Sequence, residues 1–160
     1  MLRDKSLIPL SRQHQHALAL CVRIDRASPI PEVDLGAWQA EMVQHFRAEI
    51  RIHFEAEEQI VFPVARGFRQ LDPLVEELLS DHEWLRERFA MAEVQSMSSG
   101  DVSAFAQRLS AHIRKEERRL FERLQEVMNE QELAQMGERL EQGLKDAAQI
   151  CVMPVKSQQV

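Results

Sequence analysis

The chain of 160 residues has no tyrosine, five glycines and six prolines, so it is poor in residues that favour strands and tight turns. Leu, Glu, Gln, Arg and Ala dominate instead, and these residues are good helix formers. A hydrophobic share of 44% over this length is enough to bury one core. We therefore expect a single all-α domain and look for one site in it.

The sequence also has few cysteines and no excess of positive charge. The two cysteines, Cys21 and Cys151, lie far apart and form no CxxC pattern, which favours a reduced cytoplasmic compartment over secretion. The net charge of -6 argues against nucleic-acid binding, because phosphate neutralisation needs a basic face. No stretch approaches the roughly 18 apolar residues that a membrane span requires. We expect a cytoplasmic protein that binds neither nucleic acid nor membrane, and the sequence identifies no protein partner.

Helical spacing of apolar residues occurs in four long segments that are separated by turn residues. The predicted helices run from Ser11 to Ala27, from Leu35 to Arg69 after an Asp34 cap, from Asp72-Pro73 to Gln95, and from an Asp101 cap to Met128. Pro63 lies inside the second segment and is expected to kink or end that helix, since proline lacks a backbone donor.

Asn129 can cap a shorter fifth helix, which carries Leu133, Met136, Leu140 and Leu144 at helical spacing. Because the connections are short, neighbouring helices are expected to run antiparallel. We therefore predict an up-down-up-down antiparallel four-helix bundle with a short additional C-terminal helix. This domain spans residues 1–148, and residues 149–160 are predicted to form a loosely ordered tail.

Two of the predicted helices carry a histidine and a glutamate one turn apart on their apolar face. Positions three, four and seven apart share one side of a helix. In the second segment this rule aligns His53 and Glu57 with the apolar stripe. The fourth segment repeats the spacing with His112 and Glu116.

The first and third segments add one inward histidine each. His14 lies on the apolar stripe of the first helix, and His82 lies near the middle of the stripe in the third. His16 is two residues from His14 and points outward, while His45 falls on the flank of its helix. Four inward histidines and two inward glutamates are thus expected to meet in one core.

Two carboxylates in an apolar core cost several kcal/mol unless a compensating charge is present. Two divalent cations would supply that charge, and imidazole with carboxylate suits iron, manganese or zinc. Carboxylates can bridge two metals roughly 3.5–4 Å apart. The ferritin-like Glu-x-x-His pattern does not occur in the sequence. A helical interaction bundle with incidental histidines is the alternative that binds no metal.

The order of these residues resembles the hemerythrin HHE cation-binding family. The matching motifs span about residues 7 to 125 and read Ser11-Arg12-Gln13-His14, His53-Phe54-Glu55-Ala56-Glu57-Glu58 leading to Val61-Phe62-Pro63, Asp81-His82-Glu83, and His112-Ile113-Arg114-Lys115-Glu116-Glu117.

The resemblance implies two non-heme iron ions and assigns their ligands. By the resemblance, His14 and His53 bind one iron, His82 and His112 bind the other, and the bridging carboxylates come from Glu57 and Glu116. It also implies a small ligand, namely dioxygen, nitric oxide or peroxide, or iron itself as cargo, with a role in sensing, storage or stress protection.

Arg86 departs from the family pattern. The oxygen-carrying hemerythrins have a second histidine one turn after the histidine of the third helix, where this chain has Arg86. We expect an open or water-filled coordination position there, with Arg86 as a ligand-pocket residue that donates to a bound anion or peroxide. Extension of Arg86 from the bundle rim to solvent is the alternative. An open position also leaves an enzyme-like activity, such as peroxide breakdown or iron-centre repair, as the second functional class.

Overall fold

The computed structural model of the protein describes the backbone of residues 1–150 and the side chains of residues 1–145. All regular elements in this part of the chain are helical. We number the helices α1 (Ile8–Ala27), α2 (residues 32–66), α3 (Asp72–Glu93), α4 (residues 99–127) and α5 (Glu130–Ile150). A 3-10 turn at Arg69–Leu71 precedes α3. None of the described helices is long and apolar enough to cross a membrane.

Two of the long helices contain wider π turns, in which each N–H bonds five residues back. Helix α2 comprises Glu32–His45, a π turn at Phe46–Ile50, Arg51–Ala56, a second π turn at Glu57–Val61, and Phe62–Arg66. Helix α4 comprises Ser99–Lys115, a π turn at Glu116–Leu120, and Phe121–Val127.

Local capping chemistry moves several boundaries from their predicted places. Helix α1 begins at Ile8 instead of Ser11, because Pro9 fits the first turn of a helix, where its missing N–H has no partner to lose. Ser98, and not Asp101, caps α4: its hydroxyl accepts from the backbone N–H of Asp101 at 3.1 Å. The Asp101 carboxylate accepts from the Ser98 N–H at 2.8 Å in return, so the two residues form a capping box.

Helix α2 also differs from its predicted extent. It begins at Glu32, so Asp34 lies in the first turn, where a negative charge is favourable at the helix N-terminus. Pro63 does not end the helix; the π turn at Glu57–Val61 precedes it, and helix continues to Arg66. The end therefore comes three residues before the predicted Arg69.

The core consists of two apolar clusters with buried polar residues between them. The first cluster includes Leu10, Val61, Leu78 and Leu120, and the second includes Leu20, Phe54, Leu85, Phe105 and Leu109. Along each of α1 to α4, the chain passes from one cluster to the other through inward histidine or glutamate positions. The predicted all-α class is confirmed for the described residues, and a polar layer lies between the two clusters.

Helix α5 covers the first cluster and packs against residues 51–61 of α2. Asn129 caps it as predicted, since its side-chain oxygen accepts from the Glu132 N–H at 2.9 Å. Leu133, Met136 and Leu140 are buried in the first cluster. Residues 151–160, which form most of the predicted tail, lie outside the described part of the chain, and that prediction stays untested.

The contact of α5 with the N-terminal segment depends on a glycine. A Cβ atom on Gly137 would lie 2.7 Å from the Cβ of Ser6 and 3.0 Å from its Cα, which is too close for either atom. We predict that Gly137→Ala lowers the free energy of unfolding by about 1–3 kcal/mol, because the segment must move to relieve the overlap. Urea unfolding followed by circular dichroism measures this change.

Gly100→Ala is the matched control, since a Cβ there would meet only Ser98 Oγ at an ordinary 3.7 Å. This change should stabilise the chain by about 0.4–1 kcal/mol, because alanine restricts the unfolded backbone. Equal unfolding midpoints for the two variants would contradict the close contact at Gly137.

Candidate metal centre

The structure brings together all six residues that the sequence singled out. His14, His53, His82, His112, Glu57 and Glu116 are buried, and they form two groups. One group contains His14 and His53 with both glutamates, and the other contains His82 and His112 with the same glutamates. In each group, one ligand atom from every residue lies within 4.8 Å of the others.

The two glutamates present one oxygen to each group. Glu57 Oε1 lies 3.0 Å from His53 Nε2, and Glu57 Oε2 lies 3.3 Å from His82 Nε2. Glu116 Oε2 lies 3.1 Å from His14 Nε2, and Glu116 Oε1 lies 3.3 Å from His112 Nε2. Each glutamate thus faces both histidine pairs, which is the placement that a carboxylate bridging two metals would need.

The four carboxylate oxygens of Glu57 and Glu116 are buried and accept no hydrogen bond, although imidazole nitrogens lie near all of them. A buried carboxylate without donors is costly, and such groups are normally hydrogen-bonded or bound to a metal. The oxygens therefore suit cations placed between the two glutamates and the histidines.

Each of the four buried histidines contacts a side-chain oxygen through its Nδ1 atom, whereas its Nε2 atom faces the centre. His14 Nδ1 lies 2.7 Å from Glu117 Oε1, and His82 Nδ1 lies 2.7 Å from Glu58 Oε1. His53 Nδ1 lies 2.8 Å from Gln13 Oε1, and His112 Nδ1 lies 3.4 Å from Asp81 Oδ2. Because these oxygens only accept, each Nδ1 is assigned the proton.

This assignment leaves the Nε2 atom of each imidazole facing the centre, where it can carry a proton or bind a cation. His14 Nε2 lies 2.9 Å from His53 Nε2, and His82 Nε2 lies 3.2 Å from His112 Nε2. Two lone pairs at such distances repel each other unless a proton or a cation lies between them. Backing of each ligand histidine by an oxygen acceptor is the usual arrangement at metal sites.

Sequence reasoning gave no role to the residues that back the histidines, although they stand beside the predicted ligands. Glu58 and Glu117 directly follow the two bridging glutamates, while Gln13 and Asp81 directly precede His14 and His82. In the same way, Glu117 of α4 contacts His14 of α1, and Glu58 of α2 contacts His82 of α3. A polar residue next to four of the six inward residues was the available signal.

The π turns lie where the bridging glutamates stand. One begins at Glu57 and another at Glu116. More residues per turn means less rotation between neighbours, so Glu58 and Glu117 can turn toward a histidine of an adjacent helix while the preceding glutamates stay central. Such turns are frequent at functional sites, and apolar periodicity does not reveal them.

Arg86 lies one layer outside the six residues. Its two terminal nitrogens donate to Glu58, Nη1 to Oε1 at 2.6 Å and Nη2 to Oε2 at 3.2 Å. The side chain is about one third exposed, so it lies at the edge of the bundle between Glu58 and solvent. The predicted contact of Arg86 with a bound ligand stays a prediction.

The other two histidines lie away from the centre, as their helix positions predicted. His16 is exposed, and its Nδ1 lies 3.0 Å from Glu49 Oε1 at the surface. His45 is half-buried on the flank of α2, with Nε2 3.8 Å from Glu41 Oε1.

Burial and close contacts shift the pKa of several of these groups in the metal-free chain. Burial alone would raise the pKa of Glu58 and Glu117, but hydrogen bonds from His82 and His14, with those from Arg86 and Ser11, hold both at about 2. Burial would lower the pKa of His82, yet the carboxylates of Glu57 and Glu58 raise it to about 9.

An all-helical fold with four buried histidines and two carboxylates shared between them fits a metal-binding protein. The chain matches the hemerythrin HHE cation binding domain over residues 9–124, which is more than half of its length, and it therefore belongs to that family. No curated protein and no solved structure matches the chain at a significant level. The donor set suits a metal of the iron, manganese or zinc kind, and it does not select among them.

The shifted pKa values predict how the stability of the metal-free chain depends on pH. Glu58 and Glu117 titrate at about 2 when folded and near 4.5 when unfolded, so they stabilise the fold above pH 4.5 and this contribution is lost toward pH 2. His82 titrates at about 9 when folded and near 6.5 when unfolded, so its contribution is complete below pH 6.5 and is lost toward pH 9.

We therefore expect the urea midpoint of chelator-treated protein to be highest between about pH 4.5 and 6.5 and to fall on both sides. Unfolding in a pH series at constant ionic strength measures it. A midpoint that keeps rising from pH 6.5 to 9 would show that His82 is not held in the protonated form.

Proposed function

We propose that this protein holds two iron ions in its polar layer and binds a small ligand there for sensing, storage or stress protection. His14 and His53 would bind one iron, and His82 and His112 the other, with Glu57 and Glu116 bridging the two. The observation that carries this proposal is the set of four buried carboxylate oxygens without a hydrogen-bond donor. Two divalent cations would offset their charge.

The surroundings of the ligands favour retention of a metal. Each histidine is oriented through Nδ1 by an oxygen atom, and such outer contacts fix the ring and raise its basicity. Phe54 stacks on His82 at 3.8 Å and Phe121 on His14 at 5.7 Å between ring centroids, which keeps both rings in place. When bound, the metals would supply Lewis acidity and redox capacity.

A small cavity beside the centre supports a ligand of one or two heavy atoms. Its volume is about 10 Å³, which is the space of a single water molecule. His14, His53 and His112 line it together with apolar side chains of the second cluster, among them Phe54 and Leu109. A diatomic ligand such as dioxygen or nitric oxide is close to this size.

We also propose the up-down-up-down frame that the sequence predicted for α1 to α4. Ser11 of α1 contacts Glu117 of α4, while Ser28 near the end of α1 contacts Ser103 near the start of α4. This reversed order supports antiparallel neighbours. The α2 and α3 ion pairs follow the same reversed order, Arg47 with Glu93 and Arg66 with Glu76.

Metal content tests the proposal most directly. Metal-free protein loaded anaerobically with ferrous iron and then exposed to air should retain about two irons per chain, one for each histidine pair. The double variant Glu57→Gln/Glu116→Gln should retain neither, because both bridging charges are gone. Elemental analysis and the ferric absorption spectrum report the result.

Glu49→Gln is the control, since Glu49 carries a carboxylate near the centre but pairs with His16 at the surface. It should keep both irons. Wild-type protein without stoichiometric metal would show that the six inward residues are structural. With metal bound, reversible spectral change on adding dioxygen or nitric oxide supports binding, whereas sustained consumption of peroxide would favour the enzyme-like alternative.

A further inference from the structure

We propose that Arg3 and Arg86 are matched positioning residues of the metal centre, each acting on one of the two histidine pairs. Each arginine holds a glutamate that orients a histidine, and each lies over a phenylalanine ring that stacks on the same histidine. The inference rests on the two-metal proposal above. It adds the N-terminal segment, which carries no ligand, to the residues that determine metal affinity.

Arg3 holds Glu117 from outside the bundle. Its Nη2 donates to the Glu117 carboxylate at 2.6 Å and to the Glu117 backbone oxygen at 2.7 Å, while Nη1 donates to Gln125 Oε1 at 3.0 Å. The Arg3 side chain is only 19% exposed. The other carboxylate oxygen of Glu117, Oε1, is left for His14 Nδ1 and Ser11 Oγ, both at 2.7 Å.

The backbone around Arg3 is tied to α4 as well. The Asp4 N–H donates to Gln125 Oε1 at 3.2 Å, and Gln125 Nε2 donates to the Leu2 carbonyl at 2.9 Å. These bonds fix the segment on both sides of Arg3. The guanidinium is therefore held in one place at little further entropic cost, since its anchor points are already ordered.

Arg86 repeats the arrangement at the other histidine pair. Its guanidinium holds Glu58, and Glu58 Oε1 accepts from both Arg86 Nη1 at 2.6 Å and His82 Nδ1 at 2.7 Å. Arg86 Cζ lies 5.5 Å from the centre of the Phe54 ring, and Phe54 stacks on His82. Correspondingly, Arg3 Cζ lies 5.3 Å from the centre of the Phe121 ring, which stacks on His14.

The two arginines occur at unrelated places in the sequence, one before α1 and one inside α3, yet each contacts a glutamate carboxylate and a phenylalanine ring. Both glutamates are about one quarter exposed, and without such a partner each could rotate into water and release its histidine. Loss of an outer contact of this kind typically lowers metal affinity 10- to 100-fold. Because Glu117 backs only His14 and Glu58 backs only His82, each arginine should act on one metal position.

The test is a titration of metal-free protein with Co²⁺ under anaerobic conditions, with a competing chelator and the visible absorption of bound Co²⁺ as readout. Wild-type protein should bind two Co²⁺. Arg3→Ala and Arg86→Ala should each weaken one of the two binding steps about tenfold or more and leave the other unchanged. Arg3→Lys, which keeps the charge but not the paired donors, should fall between Arg3→Ala and wild type.

A His14→Ala background assigns the position. There Arg3→Ala should have no further effect on the remaining Co²⁺, whereas Arg86→Ala should weaken it as before, because effects add only at independent sites. Arg66→Ala is the structural control, since it removes an ion pair with Glu76 on the outer surface of α2 and α3. It should leave both steps unchanged.

Three results would overturn the inference while the two-metal proposal stands. These are wild-type affinities in Arg3→Ala and Arg3→Lys, an equal loss of both steps in either alanine variant, or an equal loss in Arg66→Ala. Wild-type protein that binds no Co²⁺ or iron would instead overturn the two-metal proposal itself.

Discussion

Two carboxylates without hydrogen-bond donors lie in the middle of an apolar bundle, and many of the surrounding features follow from them. Glu57 and Glu116 are fully buried between two hydrophobic clusters, so their charge has no access to water. Four histidines surround them with Nε2 atoms, each of which can carry a proton toward a glutamate or bind a cation. A cation in each group would satisfy the oxygens and separate the facing nitrogens.

The residues that contact the four histidines from outside the centre also have hydrogen-bond or ion-pair partners. Each histidine ends on an oxygen acceptor, and three of these acceptors are carboxylates that hold arginine or lysine partners in turn. Asp81, for example, receives hydrogen bonds from Arg108 and Lys115, and together with His112 these hold its pKa below the ordinary value although burial acts to raise it. The fourth acceptor, Gln13, is neutral. Positive charge therefore stands outside the carboxylates and is kept away from the metal positions.

Membership of the hemerythrin HHE family supports cation binding, whereas the geometry of the centre bears on the size of the ligand. The family match covers the helices that supply all six inward residues. The fold alone does not settle the ligand, because one scaffold can serve several functions. The small, mostly apolar cavity beside His14 and His53 is consistent with a ligand near the size of water.

The inward residues could be predicted from the sequence because a helix repeats every 3.6 residues, which decides the face of His53 and Glu57 without knowledge of any neighbour. The same periodicity predicted the helices and placed His16 outside. Boundaries were less accurate: local bonds such as the capping box at Ser98 compete with the apolar pattern. The π turns at Glu57 and Glu116 also leave no trace in it.

Only the tertiary structure decided which outer residue reaches which histidine. Glu117 binds His14 across 103 positions of sequence, and Arg3 binds Glu117 across 114. Such contacts depend on how helices pack and on where the N-terminal segment lies, and neither is encoded in local spacing. The sequence by itself determined the six ligand candidates and their faces; their pairing and the support behind them came from packing between helices.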